Sequence, residues 1–361
     1  MMAEPSNSAV SRAGLARHVE LLFAALGAPK AHAQLLADSL VSADLEGVSS
    51  HGVMLVPMYI ERVQAGSVKL DALPSVEEDH GGLLVLNAHH GLGQVSSQCA
   101  VRLAIERARI HGVSVVSVRA AFHFGAAAYW TRPLAQAGMI GFAFSNTRPL
   151  MPAPGGAQPI IGNNPLSIAF PSSQGEPLVV DMAMSNSAMG KIRAAAAQNR
   201  EIPASWATDA HGRPTTDAHE AIKGMLLPAA GPKGFGLAVA VDLLCGALSG
   251  GSVAAQVRPL YGDPAQPYDC AHTFIAIDAQ RTGGGQGIAS QVDALAVAIR
   301  GARRAEGHDR LYAPGDLEQA RRISAHGRCT IGTELIEQLN RLAEQHGLAH
   351  RLNPILHLGP S

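Results

Sequence analysis

The chain has 361 residues, of which 47% are hydrophobic and 16% are charged, a composition that supplies a large core and excludes wholesale disorder. The formal net charge is −1 and no basic stretch could neutralise many phosphates, which argues against nucleic acid as a partner. Met1–Ser11 lacks the apolar core of a signal peptide, and Phe235–Leu248, the most hydrophobic stretch, is too short to cross a bilayer. We therefore expect a globular protein that does not interact with membranes.

Apolar periodicity predicts that the first seventy residues are mainly helical. Apolar side chains recur at spacings of three and four residues across 12–40 and predict two helices, the second over Ala31–Leu45. A third apolar face extends over 53–63, and Arg62 is expected to point away from it.

After residue 75, predicted strands and helices alternate, as in an α/β layer. The predicted strands are Gly82–Leu86, Val113–Val118, Ile140–Phe144, Ile160–Phe170, Leu178–Asp181 and Phe274–Ile277. The predicted helices are Gly91–Arg109, Ala128–Ala137, Val292–Arg304 and Leu335–Gln345. The pattern predicts a mixed α/β fold, in which a helical domain built from both chain ends (1–75 and 286–361) carries an inserted α/β domain (76–285).

The four cysteines are scattered, without a Cys-x-x-Cys pair or a histidine at zinc-ligand spacing: Cys99, Cys245, Cys270 and Cys329. This spacing predicts no metal site. Cys245 lies in an apolar run and is interpreted as a core residue, because a free cysteine packs as a small hydrophobe. Scattered thiols and the lack of a targeting signal favour a reducing cytoplasm as the location.

Two glycine-rich segments are candidates for a phosphate loop. Gly91-x-Gly93-x-x-Ser96 resembles a dinucleotide fingerprint, but no acidic residue follows about 20 residues later, as ribose recognition requires. A helix N-terminus is the simpler interpretation of that segment. Gly283–Gly287 is interpreted as a flexible loop.

Two histidines stand in polar, glycine-punctuated segments. His51 follows Ser50, and the pair is either an acid/base group whose tautomer the hydroxyl fixes, or a serine N-cap beside a solvated histidine. His123 comes directly after a predicted strand and before small residues whose N–H groups could meet a phosphate; the alternative is a histidine packed between two phenylalanines.

Lysine is rare in this chain, and two of its five lysines lie beside glycine or proline. Lys191 follows Gly190, and Lys233 stands between Pro232 and Gly234. This placement favours anion binding over a solvated helix surface. Similar turn-forming segments, Asn146–Pro149 and 162–165, adjoin predicted strands, where α/β sites usually lie.

These segments follow one another in a fixed order: Ala43–Leu45 with Ser50–Gly52, His123–Gly125, Asn146–Gly156, Gly162–Pro165, Asp181–Ser185 with Gly190–Lys191, Leu226–Pro228 with Gly231–Gly236, and Pro314–Asp316. The ordered set resembles the malate/L-lactate dehydrogenase-like family. That family includes ureidoglycolate and sulfolactate dehydrogenases, diketogulonate reductase and piperideine/pyrroline-2-carboxylate reductase. The resemblance extends from about residue 10 to about residue 350.

The resemblance implies an NAD(P)-dependent oxidoreductase with a fold distinct from the Rossmann fold, and a homodimer whose active site lies between domains. It implies that His51, supported by Ser50, donates the proton during reduction, although in some members the histidine matching His123 has this role. Asn163 falls where the substrate is held, where many relatives have threonine. The positions that match cofactor contacts are His123, Phe124, Gly125, Ala126, Ala127, Asp181, Met182, Ala183, Pro232, Lys233 and Arg310.

Two departures from the family pattern favour hydroxy acids as substrates. Leu55 stands where members often have an arginine for the substrate carboxylate, so another cation must bind it, and Arg148 and Lys191 are the candidates. Lys191 also stands where the family's imine reductases have the aspartate of a Ser–His–Asp relay. An ammonium there disfavours a cationic iminium and favours an anionic 2-oxo acid or its alkoxide.

The sequence therefore predicts hydride transfer between NAD or NADP and C2 of a small 2-hydroxy or 2-oxo acid, with Ser50, His51, His123 and Lys191 as catalytic residues. The alternative within the family is reduction of a cyclic imine carboxylate. A Ser50–His51 hydrolase is disfavoured, because adjacent helical residues point about 100° apart and should not contact each other. A binding protein that keeps the dinucleotide site without turnover is the remaining alternative.

Overall fold

A computed structural model describes residues 7–282 and 285–355, and helices from both chain ends meet in it. Their bounds are Arg12–Ala25 (α1), Lys30–Leu45 (α2), Val56–Gln64 (α3) and, near the other end, Thr333–Gln345 (α11). Ser11 caps α1 by accepting the Gly14 N–H through its side chain, at 3.0 Å. A two-stranded ladder of Asn7–Ser11 (β1) and Arg328–Gly332 (β11) joins the two chain ends.

The central sheet has seven strands: Ser75–Asp79 (β2), Leu83–Asn87 (β3), Val113–Ala121 (β4), Met139–Ser145 (β5), Leu166–Phe170 (β8), Leu178–Met182 (β9) and Cys270–Asp278 (β10). Their order is β2-β3-β4-β10-β5-β8-β9. Of these neighbours β3 and β4 are parallel, and the other pairs are antiparallel. Two short strands, Met151–Pro152 (β6) and Pro159–Ile161 (β7), form a separate ladder.

Two helices cover strands of the sheet and contact each other: Gly93–His111 (α4) on β4 and β10, and Ala127–Gln136 (α5) on β5 and β8. Ala100, Ala104 and Ala108 recur every four residues along α4 and are fully buried, because small side chains let this helix approach the sheet. The other helices are Met189–Ala197 (α6), Ala218–Lys223 (α7), Pro232–Asp242 (α8), Gly285–Gly301 (α9) and Asp316–Ser324 (α10). A π-helical turn, Leu243–Ala247, continues α8.

The mixed α/β class is confirmed, and the mostly antiparallel sheet differs from a doubly wound parallel one. Cys245 is fully buried, as predicted. Gly91-x-Gly93 leads into α4, so the helix N-terminus is also confirmed. In the described residues, no helix is both long and apolar enough to cross a membrane.

Three local predictions are wrong. The single strand over Ile160–Phe170 is two strands, β7 and β8, because the turn 162–165 interrupts it. The glycine loop ends earlier than predicted, because α9 begins at Gly285; Gly283 and Gly284 lie outside the described residues. Arg62 does not point away from the apolar face, since it is only 1% exposed and donates to three backbone carbonyls of the loop before β10, those of Pro259, Leu260 and Gln266.

Candidate functional site

One edge of the sheet gathers the motif segments. The strand register places the C-terminal ends of β4, β5 and β9 beside the N-terminal ends of β10 and β8: Cys270 faces Ala121, His272 faces Ser145, and Leu166 faces both Phe144 and Met182. The segments that follow or precede these strand ends therefore meet at this edge. They include His123, Arg148, Asn163 and Asp181, which are far apart in the sequence.

His51 and His123 lie next to each other. Their rings stack with centroids 5.5 Å apart and planes 20° apart. Ser50 Oγ lies 3.0 Å from Nδ1 of His51. Tyr59 Oη lies 2.7 Å from Nδ1 of His123 and 3.2 Å from the carbonyl oxygen of that residue. In each histidine the hydrogen bond occupies Nδ1 and leaves Nε2 for another partner.

The Ser50–His51 contact corrects one expectation. Adjacent residues were expected to point apart, but Ser49–His51 forms a tight 3-10 turn rather than part of an α-helix. The short serine side chain reaches the ring nitrogen nearest the backbone of its neighbour, at 3.0 Å. The interpretation in which the hydroxyl fixes the histidine tautomer is the one that matches this geometry.

A buried carboxyl group holds the turn that carries His51. Asp44, at the end of α2, accepts the Val53 N–H at 2.8 Å through Oδ2 and is only 9% exposed. A Cβ at Gly52 would lie 2.2 Å from Oδ1 of Asp44, so this glycine allows the close approach. Burial raises the pKa of Asp44 to about 7, against the Val53 and Ser49 hydrogen bonds, which lower it.

Backbone packing positions the turn that carries His123. A Cβ at Gly93 would lie 2.1 Å from the carbonyl oxygen of Phe122, so glycine lets the start of α4 touch this turn. His272 Nε2 lies 3.0 Å from the same carbonyl oxygen. The ring of Phe124 stacks on His272 at 4.3 Å and is 2% exposed, so Phe124 can offer a ligand only backbone atoms.

Burial keeps both site histidines neutral at pH 7. It lowers the pKa of His51 to about 4. It also lowers the pKa of His123 well below the usual value, and the nearby His51 lowers that pKa further. Burial also raises the pKa of the Tyr59 hydroxyl, so that group remains protonated. A neutral imidazole can accept a proton at Nε2, as oxidation of an alcohol requires.

The two predicted carboxylate-binding cations differ in burial, since Arg148 is half-buried and Lys191 is exposed. Burial lowers the pKa of the Arg148 guanidinium, and Tyr268 and Arg193 also act on it electrostatically. Tyr268 in turn interacts with Tyr59. Lys191 is exposed on the first turn of α6, and within the described residues no contact joins it to either histidine. Tyr268 therefore acts electrostatically on both Tyr59 and Arg148, whereas Lys191 lies on α6.

The substrate-holding and cofactor-binding candidates lie further along the same edge. Asn163 accepts the Thr147 hydroxyl at 3.0 Å, and its carbonyl accepts the Met184 N–H. Asp181 accepts the Ala128 N–H at 2.8 Å, which joins the end of β9 to the start of α5.

The segment before α8 and the loop before α10 reach the same region. Ala229 donates to the Met184 carbonyl, so the residues before Pro232 and Lys233 adjoin the strand end at Met182. The Val179 N–H bonds to Pro314, which brings the 310–316 loop to β9. Arg310 lies in that loop, with its guanidinium 5.2 Å from the ring centre of Tyr312.

These residues fit a dinucleotide. The N-terminus of α8 has no side-chain cap, and a Cβ on Gly231, its N-cap residue, would meet nothing within 4 Å. Exposed Lys233 adds a positive charge to this helix end, which suits a pyrophosphate. The amide of Gln94 is buried beside the Tyr59 hydroxyl, whose pKa it lowers, and makes no other side-chain hydrogen bond within the described residues; its Nε2 lies 3.9 Å from the position a Cβ would take on Gly125. This side chain offers a donor and an acceptor to a carboxamide such as that of nicotinamide.

Comparison with known proteins identifies the class. The family profile described as malate/L-lactate dehydrogenase matches residues 10–340. L-sulfolactate dehydrogenase of Methanocaldococcus jannaschii is 35% identical over 322 residues, 89% of this chain and 92% of that one, and its solved structure has a TM-score of 0.89. Ureidoglycolate dehydrogenase (NAD(+)) of Escherichia coli strain K12 is 32% identical over 330 residues, 91% of this chain and 93% of that one. The structure of Δ1-piperideine-2-carboxylate reductase from Pseudomonas syringae has a TM-score of 0.81 at 29% identity, covering 92% of this chain and 99% of that one.

The chain belongs to the malate/L-lactate dehydrogenase family. It is a dehydrogenase that acts on CH–OH groups and uses NAD or NADP. The family resemblance, the enzyme class and the cofactor class predicted from the sequence are thereby confirmed.

Sequence reasoning missed four residues that shape the site: Asp44, Tyr59, Gln94 and Arg193. Tyr59 lies in an ordinary amphipathic helix, and its bond to His123 joins residues 64 positions apart. Asp44 stood within the recognised segment, but nothing in the sequence indicates that it is buried. The one available signal was the glycine at 52, beside a histidine, which indicates a close approach.

Proposed function

We propose that the protein interconverts a small 2-hydroxy acid and the corresponding 2-oxo acid, with His51 as the group that accepts or donates the proton. The observation that carries this proposal is the stacked His51–His123 pair, in which a hydroxyl group holds Nδ1 of each ring. A hydroxyl-to-carbonyl step needs a base, a cation for the carboxylate and a bound nicotinamide, and it needs no covalent nucleophile.

His51 moves the proton in both directions. During oxidation the substrate hydroxyl gives its proton to Nε2 of His51. Nδ1–H of the same ring donates to Ser50 Oγ, and this hydrogen bond stabilises the positive charge of the imidazolium. The bound nicotinamide supplies the hydride acceptor, and the carbonyl forms as the C2–H bond breaks. During reduction the imidazolium returns the proton, and the substrate carboxylate favours the charged ring by raising its pKa.

His51→Ala is the direct test of this assignment. We expect the turnover number to fall about 10²–10⁴-fold, the usual contribution of a general acid or base. His80→Ala is the matched control, because His80 is exposed and its imidazole pairs with Glu78. Steady-state oxidation of a panel of 2-hydroxy acids measures the effect. Unchanged turnover in His51→Ala would transfer the role to His123.

Arg148 and Lys191 are the proposed binding groups for the substrate carboxylate. Arg148 is partly buried, where a guanidinium–carboxylate pair is stronger than in water, whereas Lys191 is exposed. We therefore expect Arg148→Ala to raise KM about tenfold or more, and Lys191→Ala to raise it less, with the turnover number nearly unchanged in both. An unaltered KM in either variant would remove that residue from carboxylate binding.

The alternative within the family is reduction of a cyclic imine carboxylate, for which the likeness to the piperideine reductase structure is the supporting observation. Oxidation of NADPH and of NADH, each measured with 2-oxo acids and with cyclic imine carboxylates, separates the two functions. Turnover of the oxo acids supports hydroxy-acid chemistry. Turnover of the imines alone would refute hydroxy-acid chemistry. It would also refute the argument that Leu55 and Lys191 favour an anionic oxo acid over an iminium.

We further propose that the chain acts as a homodimer in the cytoplasm and retains the division into a helical domain (1–75, 286–361) and an inserted domain (76–285). Four leucines on α8, on the turn that continues it and directly after that turn are 38–52% exposed, which supports a covered face: Leu237, Leu243, Leu244 and Leu248. Four free cysteines support a reducing compartment.

A further inference from the structure

A cavity of about 610 Å³ lies among α2, α4 and α5, apart from the site of the two histidines. We call it the three-helix pocket. Each helix contributes one face to it; α4 does so with residues 98, 101, 102, 105, 106 and 109, the spacing of a single helical stripe. Its apolar floor consists of Leu35, Leu45, Val101, Ile105, Trp130 and Pro133. Neither site histidine lines it, and its volume lies in the range of small-molecule sites.

Arginines surround this apolar floor: Arg12, Arg102, Arg109, Arg132 and Arg322. Four of them pair with carboxylates, Arg12 with Asp38, Arg102 with Glu106, Arg132 with Glu46, and Arg322 with Glu176. Arg109 is different, because no carboxylate lies within 4 Å of it among the residues that the structure describes. A positive charge without a partner therefore stands at the mouth of an apolar cavity.

We propose that the three-helix pocket binds an unbranched aliphatic carboxylate, with the hydrocarbon chain on the floor and the head group at Arg109. The six apolar side chains of the floor favour a ligand with a hydrocarbon segment, because polar groups placed against them would lack partners there. The excess of arginine at the mouth disfavours a cationic head group and favours an anionic one. An acyl chain with a carboxylate satisfies both requirements.

The pocket contacts the two helices that position the catalytic site. α5 starts at Ala127, directly after the proposed cofactor turn, and its Ala128 N–H holds Asp181. α2 contains Asp44, which holds the His51 turn. Arg132 and Glu46 join these helices at 2.6 Å, with side chains only 14% and 5% exposed. A ligand that packs between α2 and α5 therefore changes cofactor affinity through this junction.

Trp130 makes the binding measurable without a label. The chain has two tryptophans, and Trp206→Phe leaves Trp130 on the pocket floor as the remaining one. Hexanoate, octanoate and decanoate are titrated separately while tryptophan fluorescence is recorded. We expect saturable changes, with affinity rising about fourfold for each added buried methylene group. The absence of a saturable change, or affinity that does not depend on chain length, would overturn the proposal.

Two charge variants on one helix test the head group. Arg109→Gln is expected to weaken decanoate binding about three- to tenfold. Arg107→Gln, the matched control, removes a charge that pairs with Asp79 and does not line the pocket, and should leave binding unchanged. Equal weakening in both variants, or decanol binding as tightly as decanoate, would refute the role of Arg109.

The coupling to the catalytic site has its own test. If decanoate changes the dissociation constant of NADH, NADH must change that of decanoate by the same factor. Fluorescence titrations in both orders measure the two factors, independently of which substrate the enzyme uses. An unchanged NADH dissociation constant at saturating decanoate would overturn the proposed regulation.

Discussion

Asp44 shows how one buried side chain links protonation to the geometry of the site. Its carboxyl holds the backbone of Val53 and lies against Gly52, directly after His51. The folded protein binds the Asp44 proton more tightly than the unfolded chain does, because burial raises the pKa from 3.8 to about 7. Stability contributed by this proton is therefore present below pH 4 and is lost as the pH rises to about 7.

Asp44→Asn is expected to remove this pH dependence. Asparagine keeps an oxygen acceptor for the Val53 N–H and stays neutral at every pH. The free energy of unfolding of the wild type should fall by up to about 4 kcal/mol between pH 4 and pH 7 because of this group, and the variant should lack that fall. Urea denaturation at several pH values measures both. Parallel plots of unfolding free energy against pH for the wild type and the variant would contradict the prediction.

For single residues, the sequence predicts which side chains can take part in catalysis or binding better than it predicts which side chains contact each other. The polar, glycine-containing segments around His51 and His123 predict site residues, and the structure places the two rings together. The prediction that Arg62 points away from the apolar face is wrong, because the spacing of apolar residues cannot show that a guanidinium donates to three backbone carbonyls. Arg193, rather than Lys191, is the α6 residue that acts on Arg148, and only the fold shows which of two exposed cations on one helix does so.

Gly93 determines how α4 and the His123 turn fit together. A Cβ there would meet backbone oxygens, 2.1 Å from Phe122 and 2.5 Å from His123, which cannot move without shifting the turn. We expect Gly93→Ala to destabilise the protein by about 1–3 kcal/mol or more, as overpacking does, and to impair catalysis. Gly190→Ala is the control: a Cβ there meets nothing within 4 Å, so it should stabilise α6 by up to about 1 kcal/mol. Urea denaturation distinguishes them, and equal effects would refute this role of Gly93.

Elements with strong periodicity were predictable, and elements fixed by tertiary contacts were not. Buried β3 and β4 contain apolar or β-branched residues, so their existence followed from composition alone. β2 is exposed along its whole length and mostly acidic, and it is a strand because it pairs with β3. The π turn after α8 also depends on packing, since the Thr273 hydroxyl donates to its Leu244 carbonyl at 2.7 Å.

The arrangement of the whole molecule depends on strand order. β10 is far from β4 and β5 in sequence, yet it lies between them, which brings Tyr268 to the edge that carries His123 and Arg148. Local sequence patterns do not show that a strand near the end of the chain pairs between two strands that come much earlier. The family resemblance predicts site residues from separate segments because the solved relatives share this fold, whereas each segment by itself allows two interpretations of its histidine.

The exposed apolar face of α8 and the turn that continues it provides a test of the proposed assembly. Leu243, in the turn that continues α8, is 52% exposed among other exposed leucines. A dimer would bury this face, so the wild type should have twice the chain mass of 37.5 kDa by light scattering. Leu243→Glu places a charge at the interface and should shift the equilibrium towards the monomer, because an unpaired buried charge is costly.

Leu73→Glu is the matched control, because Leu73 is 66% exposed and lies outside α8 and its turn. It should leave the mass unchanged. A wild type that scatters as a monomer would contradict the proposed homodimer. A dimer that Leu243→Glu does not weaken would instead place the interface on another surface and leave the α8 leucines without a partner. If activity per chain falls together with the dimer fraction as the protein is diluted, the active site depends on the assembly.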